Sequence, residues 1–359
     1  MTTTFEPDTA PLLDAIEAGR ALPSSWYTDS QIFLAERERI LRRSWHFGAH
    51  TGELAEPGDV VVRDIGGIPI VLTKSGEGIH GFINICRHRA HPVVIDGGRR
   101  PRETLQCMYH GWTYGFDGTL LRAPRAESEN LDFDPVDCSL MRVQTHVWGP
   151  TVWVNPDLEA PSFEDWAPGL ATAVEANGVD VDDHDFAFER RFPIRANWKV
   201  FLDNAIECYH CPTCHSQLSS VLVMNPHRQK LTIGGRFWST HQIPFRDDDR
   251  QYFFHWIFPT TYFQYAGAGF DVGTMEILDI DHIVFRSLSF VPRGTAQADI
   301  AELEEKLDRS PTIPEDVAIC ERVQAAHEVG VAPPGRLLPE SERLVLHYER
   351  AILEMIATP

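Results

Sequence analysis

The chain of 359 residues contains no continuous apolar run of the ~18–20 residues that a membrane-spanning helix needs, so no membrane segment is predicted. Its first residues, MTTTFEPDTAPLL, have neither a basic start nor an apolar stretch. They therefore predict no secretory signal and a cytoplasmic protein. Basic residues are few beside acidic ones, 32 Lys and Arg against 52 Asp and Glu, giving a formal charge of −20. A surface of that sign repels nucleic acid and excludes it as an expected partner. Solubility alone accounts for the charge, and a protein partner with a basic face is compatible with it. No P-loop is present. GAGFDVG (267–273) has the wrong spacing for a dinucleotide loop and no βαβ context, so NAD(P)H binding by the chain itself is not expected. Neither repeats nor low-complexity tracts occur.

What is present is an ordinary globular composition, 43% hydrophobic and 23% charged, long enough for roughly two domains. Two apolar stripes, Leu12, Leu13 and Ile16, then Ile32, Phe33, Ile40 and Leu41, predict helices near the start, with a cap at Asp29 or Ser30. Near residue 50 the pattern changes to short strands. DVVVRDI and IPIVLTK flank Gly66-Gly67, a hairpin signal. Strand patterns continue to TVWVN (151–155), and an acidic linking stretch follows. From Phe186 strands return, then a helix-like stretch NWKVFLDNAIE, an aromatic-rich β region over about 230–292, and helices near 314–328 and 340–356. The expected class is α+β: N-terminal helices (1–44), a small β domain (45–158) and a larger α+β domain (159–359).

The seven cysteines, Cys86, Cys107, Cys138, Cys208, Cys211, Cys214 and Cys320, are odd in number and argue against a disulfide framework. Several neighbour histidines, which points to metal. Cys86-Arg87-His88 is followed, eighteen residues later, by Cys107-Met108-Tyr109-His110. Each finger offers one thiolate and one imidazole. That set suits a Rieske centre, in which two Cys hold one iron and two His the other. It also suits a structural zinc site, although zinc sites more often pair like ligands. The boxes CRHRAHP and CMYHGWTYGFDG closely resemble those of the Rieske oxygenases, and the resemblance runs from SWHF near residue 45 to the last helices. It implies that Cys86, His88, Cys107 and His110 ligate a [2Fe–2S] cluster, with Arg87 and Trp112 around them. His91, before Pro92, fits a loop role, and His80 and His146 read as strand or surface residues.

A second dense patch runs from Asn197 to His215. Glu207 and His210, three apart, would share one face of a helix. His210 and His215 are five apart, and Pro212 disfavours helix at Cys211, so a break there would return His215 to the same point. Two histidines and a carboxylate form the facial triad of non-haem Fe(II) oxygenases. The segment resembles the mononuclear-iron motif of the same family. By that resemblance His210 and His215 are iron ligands, and Glu207 is the acid bridging His210 to His110 of the neighbouring subunit. The third ligand is expected at Asp316 in PEDVAICERVQ, with Gln324 following, Glu315 and Glu321 as alternatives, and a helix-start charge as the structural reading of Asp316. Cys208, Cys211 and Cys214 share the C-x2-C-x2-C spacing of ferredoxins, but no C-x3-C-P completes it. They read as apolar packing.

The resemblance further implies a helix-grip catalytic domain, a homotrimer or multiple of it, O2 as co-substrate, and electrons from a separate reductase or ferredoxin that alone uses NAD(P)H. Two small-molecule substrate classes compete: a quaternary ammonium compound, slightly favoured because ECYHCPTCH looks closer to the carnitine- and betaine-type branch, and an aromatic ring. Trp238, Tyr252, Phe254, Trp256, Tyr262 and Tyr265 would build a cation cage or fill the core. Thr260 departs from the Asn that many relatives carry after FP. A non-enzymatic zinc protein or electron carrier is the rival class. It predicts a colourless protein in the first case and no need of the second site in the other.

Overall fold

The computed structural model describes residues 7–126, 128–129 and 134–358. Its backbone divides into two compact units, Arg42–Ala160 and Met1–Leu41 together with Pro161–Pro359. The N-terminal helices thus pack with the C-terminal part. They are α1 (Ala10–Glu17), α2 (Ser25–Thr28) and α3 (Ser30–Arg39). Asp29 caps α3, accepting from the Gln31 amide at 2.7 Å, so one of the orphan donors at the helix start is met. Ile16, Trp26, Tyr27, Ile32 and Phe33 supply the buried stripe.

In the unit Arg42–Ala160, strands β1 (His46–His50), β2 (Val60–Ile65), β3 (Ile68–Ser75) and β4 (Gly78–Ile83) precede three short strands, β5 (Thr104–Gln106), β6 (Thr113–Gly115) and β7 (Leu120–Arg122). Strands β8 (Arg142–Trp148) and β9 (Thr151–Asn155) complete it. The six-stranded sheet runs β1-β9-β8-β4-β3-β2, and β5-β6-β7 form a separate sheet. The Gly66-Gly67 turn closes the β2–β3 hairpin on the Ile65–Ile68 pair, both glycines having positive φ. That is the turn which suits strand twist. Alternation along β2 and β3 sends Val60 and Val71 to one core with Cys86 and Cys107, and Val61, Ile70 and Leu72 to another.

After α4 (Phe163–Trp166) and α5 (Leu170–Ala176), the second unit is built on a seven-stranded antiparallel sheet. Its strands are β10 (His184–Ile194), β11 (Lys230–Ile233), β12 (Trp238–Pro244), β13 (Gln251–Ile257), β14 (Thr261–Tyr265), β15 (Phe270–Asp279) and β16 (His282–Pro292), in the order β10-β16-β15-β14-β13-β12-β11. Helices α6 (Trp198–Ala205), α7 (Cys211–Cys214), α8 (Ser216–Val221), α9 (Gln297–Asp308), α10 (Thr312–Val329) and α11 (Arg343–Ala357) complete it. Helix α9 was not expected from the sequence, although Ile300, Leu303 and Leu307 stand at helical spacing in it; none of its residues is buried. The class is α+β, as expected. No helix among the described residues is long and apolar enough to cross a membrane.

Helix α6 is pinned to α3 by a buried ion pair. Lys199 Nζ lies 2.7 Å from Glu36 Oε1, and Trp198 Nε1 donates to Glu36 Oε2 at 2.9 Å. Asn197 caps α6 through the Lys199 amide and also accepts from Lys199 Nζ at 2.8 Å. These bonds fix the start of α6, and the second cluster follows its C-terminal end.

Candidate metal centres

The four donors of the first constellation meet at two loop tips. Cys86 and His88 follow β4, and Cys107 and His110 occupy the turn between β5 and β6. Each turn closes on itself: the Ala90 amide donates to Cys86 O at 3.0 Å and Gly111 N to Cys107 O at 2.9 Å. Gly111 has φ of 75°, a conformation that glycine adopts without strain. Both cysteines are buried, 3% and 1% exposed, whereas His88 and His110 lie at the surface. The two imidazoles stand 4.5 Å apart, and Trp112 stacks on His88 at 5.1 Å.

Tyr114 Oη contacts Cys86 Sγ at 3.3 Å and accepts from the Arg87 amide at 3.1 Å. Burial pushes the Cys107 thiol up and the adjacent Cys86 adds to this, against the Tyr109 and His110 amides that pull it down. Two buried sulfurs with amide and hydroxyl neighbours, and two outward imidazoles, fit a cluster whose Cys-held iron is inside and whose His-held iron faces out. Tyr114 had no signal of its own in the sequence beyond the box that contains it. His91 is close by, its Nδ1 3.9 Å from Cys107 Sγ, but the same nitrogen is engaged by Pro92 O at 2.6 Å.

The second constellation forms differently from the expected helix. Helix α6 stops at Ala205 with Ile206 as its cap. Glu207 and His210 therefore share a non-helical turn, and α7 begins at Cys211 with Pro212 in its first turn, where a missing N–H costs nothing. The turn is held by Glu207 itself, which accepts from the His210 amide at 3.3 Å and also from the Tyr209 amide. Its Oε1 bonds directly to His210 Nδ1.

His210 Nε2 is 3.1 Å from His215 Nε2. Asp316 Oδ1, in the second turn of α10, is 3.0 Å from His215 Nε2 and 3.4 Å from His210 Nε2. Metal bonds of about 2.0–2.2 Å at right angles place neighbouring donors roughly 3 Å apart, so this triangle has the size of one ligand face of an octahedral site, which would leave the opposite face open. The remaining nitrogens are each held by a carboxylate: Glu207 on His210, and Glu315 Oε2 on His215 Nδ1 at 2.8 Å. Such partners fix the tautomer and aim Nε2 at the metal. Glu315, weighed as a ligand from the sequence, instead holds the far nitrogen of His215. Glu321 points elsewhere and accepts from the Arg195 amide at 3.2 Å. Gln324 accepts from the Asn197 amide at 3.0 Å.

The electrostatics agree with a cation site. Burial works against a charged His210, yet the bonds to Asp316 and Glu207 push it up to about 10. His215 is raised in the same way by Asp316 and Glu315. Asp316 is held below its ordinary value by the two histidines, although burial opposes this. Donor atoms of His210, Cys211 and His215 also lie within 4.8 Å of one another. Cys211, however, is disulfide-bonded to Cys208, which removes it as a thiolate ligand. The sequence reading of these cysteines as unpaired packing residues is corrected in this respect: the 208–211 turn brings their Cα atoms within 4.9 Å. They still pack with Leu222 and Ile243.

Beside the triangle is a cavity of about 260 Å³. Its apolar wall includes Phe201, Leu218, Leu222, Ile243 and Phe285, and Tyr252, Phe254 and Tyr262 line it from the sheet. Of the six aromatics expected as a cage, these three reach it. Trp238 and Tyr265 register with Ile257 and Phe253 on the opposite face of the sheet. Trp256 shares the face but is 1% exposed and sits outside the lining. Polar groups in the wall include Arg190, Gln264 and Asp271. None carried a sequence signal, because they come from three separate strands.

The sequence matches the family description "Ring hydroxylating alpha subunit (catalytic domain)" over residues 163–358 and "Rieske [2Fe-2S] domain" over residues 44–145. It is 27% identical to the chloroplastic choline monooxygenase of Spinacia oleracea, across 96% of this chain and 79% of that protein. It is 28% identical to the carnitine monooxygenase oxygenase subunit of Acinetobacter baumannii, across 89% of each. A solved quaternary ammonium Rieske monooxygenase in complex with its substrate L-carnitine superposes with a TM-score of 0.82 at 26% identity, covering 94% of this chain and 95% of that one. With both domains matched in this order, the chain belongs to the ring-hydroxylating alpha-subunit family of Rieske non-haem iron oxygenases.

Proposed function

We propose that this oxygenase hydroxylates a C–H bond next to a quaternary nitrogen, leading to N-demethylation or a related oxidation, with electrons from a separate reductase or ferredoxin. The triangle of His210 Nε2, His215 Nε2 and Asp316 Oδ1 beside an aromatic-walled cavity carries the reading. Cys86, His88, Cys107 and His110 would hold the Rieske cluster, which would supply electrons, and His210, His215 and Asp316 would hold the mononuclear iron, which would supply O2 activation. Glu207 and Glu315 hold the ligand imidazoles in one tautomer. Tyr252, Phe254 and Tyr262 present ring faces or edges to the substrate, and a quaternary ammonium group is drawn to such faces. The apolar wall excludes water from the reacting carbon.

In this reading Glu207 also connects His210 to His110 of a neighbouring subunit within a trimer. Its bond to His210 Nδ1 leaves one carboxylate edge shared with backbone amides. The apolar character of much of the wall also favours a second reading, ring hydroxylation of an arene. A single-turnover assay separates the two. Iron-loaded, reduced protein is given O2 and a panel of trimethylammonium compounds, arenes and aromatic acids, and products are read by mass spectrometry. Formaldehyde or an aldehyde with a tertiary amine is expected; a diol or phenol would overturn the first reading in favour of the second.

A further inference from the structure

Strands β10, β14 and β15 contribute Arg190, Gln264 and Asp271 to the cavity. On its other side the sheet places Arg191 opposite Arg286, and these share Glu189 and Glu276: Arg191 lies 3.0 Å from Glu189, and Arg286 lies 2.7 Å from Glu189 and 3.2 Å from Glu276. Arg190, one residue earlier on β10, faces the cavity. Among the described residues no carboxylate lies within ion-pair distance of its guanidinium. Nη1 donates to Leu307 O at 2.8 Å, and Nη2 makes a long bond to Ser287 Oγ at 3.3 Å. Nε is buried with no hydrogen-bond partner.

Asp271 does feel the charge of Arg190, but its oxygens are taken by Ser289 at 2.5 Å and Gln264 at 3.1 Å. Gln264 is in turn oriented by Tyr252, whose hydroxyl donates to its Oε1 at 2.6 Å. The cavity is therefore dipolar. A cation short of acceptors stands on β10, while a half-buried carboxylate and three aromatic rings stand on β13, β14 and β15. A partly buried guanidinium without a counter-charge is costly, and an anion arriving with the substrate removes that cost.

We propose that Arg190 is a specificity-determining residue that binds a carboxylate of the substrate, so that the substrate class is a zwitterion: a quaternary ammonium group at the Tyr252–Phe254–Tyr262 side and an acid at Arg190. This rests on the quaternary ammonium reading above and sharpens it. A planar guanidinium pairs with carboxylate through parallel N–H bonds, which gives orientation as well as affinity. A neutral alcohol in place of the acid can accept a single N–H bond but leaves the guanidinium without a counter-charge and without the parallel pair of bonds.

Two probes matched at the ammonium end test this, γ-butyrobetaine with its carboxylate and choline with a hydroxyl. Binding to the full iron-loaded protein is read by calorimetry and turnover by product analysis, for the wild type, Arg190→Gln and the milder Ser287→Ala. The wild type is expected to bind γ-butyrobetaine more tightly than choline. Arg190→Gln is expected to weaken γ-butyrobetaine by roughly tenfold to a hundredfold, as the loss of hydrogen bonds to a charged group does, and to leave choline within about twofold, the unchanged choline affinity reporting an intact fold. Ser287→Ala should shift the acid probe in the same direction by less. A wild type that favours choline, or an Arg190→Gln variant that weakens both probes equally, overturns the acid site while the quaternary ammonium reading stands. Failure to bind or oxidise either probe, with an arene oxidised instead, overturns both.

Discussion

At the scale of single residues, the mononuclear site is a set of donors aimed by other carboxylates. Asp316 stands about equally far from both imidazoles, so its loss opens the triangle. Asp316→Ala is expected to lower iron from about three per chain to about two while the reduced cluster keeps its EPR signal; iron analysis beside EPR measures both. Glu315 touches only the far nitrogen of His215. Glu315→Ala should therefore keep the site but weaken mononuclear iron by about 10–100-fold, as losses behind a ligand do, which competition with a chelator would report. Glu207→Gln retains an oxygen for His210 Nδ1 and removes the negative charge. It is expected to keep both metal centres and lose most turnover, and full activity would rule out the bridging role.

Among elements, the question is how strands and helices present these residues. Gly273 on β15 pairs with Tyr262 on β14, and a Cβ at Gly273 would lie 2.1 Å from the Tyr262 ring. The glycine lets that ring lie against the sheet. Gly273→Ala should push Tyr262 towards the cavity and weaken substrate binding about tenfold or more with metal content unchanged, since an occupied volume cannot be shared; calorimetry with metal analysis tests it. The α3–α6 contact depends on Glu36 and Lys199, both fully buried. Lys199→Met strands the Glu36 carboxylate and is expected to cost about 3–5 kcal/mol, visible as a lower urea midpoint.

For the whole molecule, stability depends on pH through two buried histidines outside the ligand set, His255 and the cavity-lining His241. Burial holds His241 and His255 down to about 4, against an ordinary value of 6.5. His255 is bonded to Thr240 and Tyr265, at 2.8 and 3.1 Å, and His241 to Gln229 at 3.0 Å. Their contribution is fully present above about pH 6.5 and is lost as pH falls towards 4, because the unfolded chain takes up protons that the folded one refuses. Each should withdraw about 2 kcal/mol between about pH 7 and 5. Urea titrations at the two pH values, compared with His255→Asn, would expose the slope. An unchanged slope in the variant would remove His255 as a cause.

The candidate metal-binding residues were legible in the sequence because short spacings carry them: Cys86 with His88, Cys107 with His110, and His210 with His215 sit within a few residues of each other. Hydrophobic alternation likewise marked the Gly66-Gly67 hairpin and the strands of residues 230–292, and Asp29 announced the start of α3. Spacing misjudged the turn at Glu207, since a helix and a carboxylate-bridged loop both bring residues three apart together. It was silent on the disulfide of Cys208 and Cys211, on Glu315 behind His215, and on Arg190 and Asp271. Those depend on which strand lies beside which: β10 and β15 are far apart in sequence and become near neighbours only through β16. The chain's local order determined the candidate ligands, and the antiparallel pairing of distant strands decided the cavity that would choose the substrate.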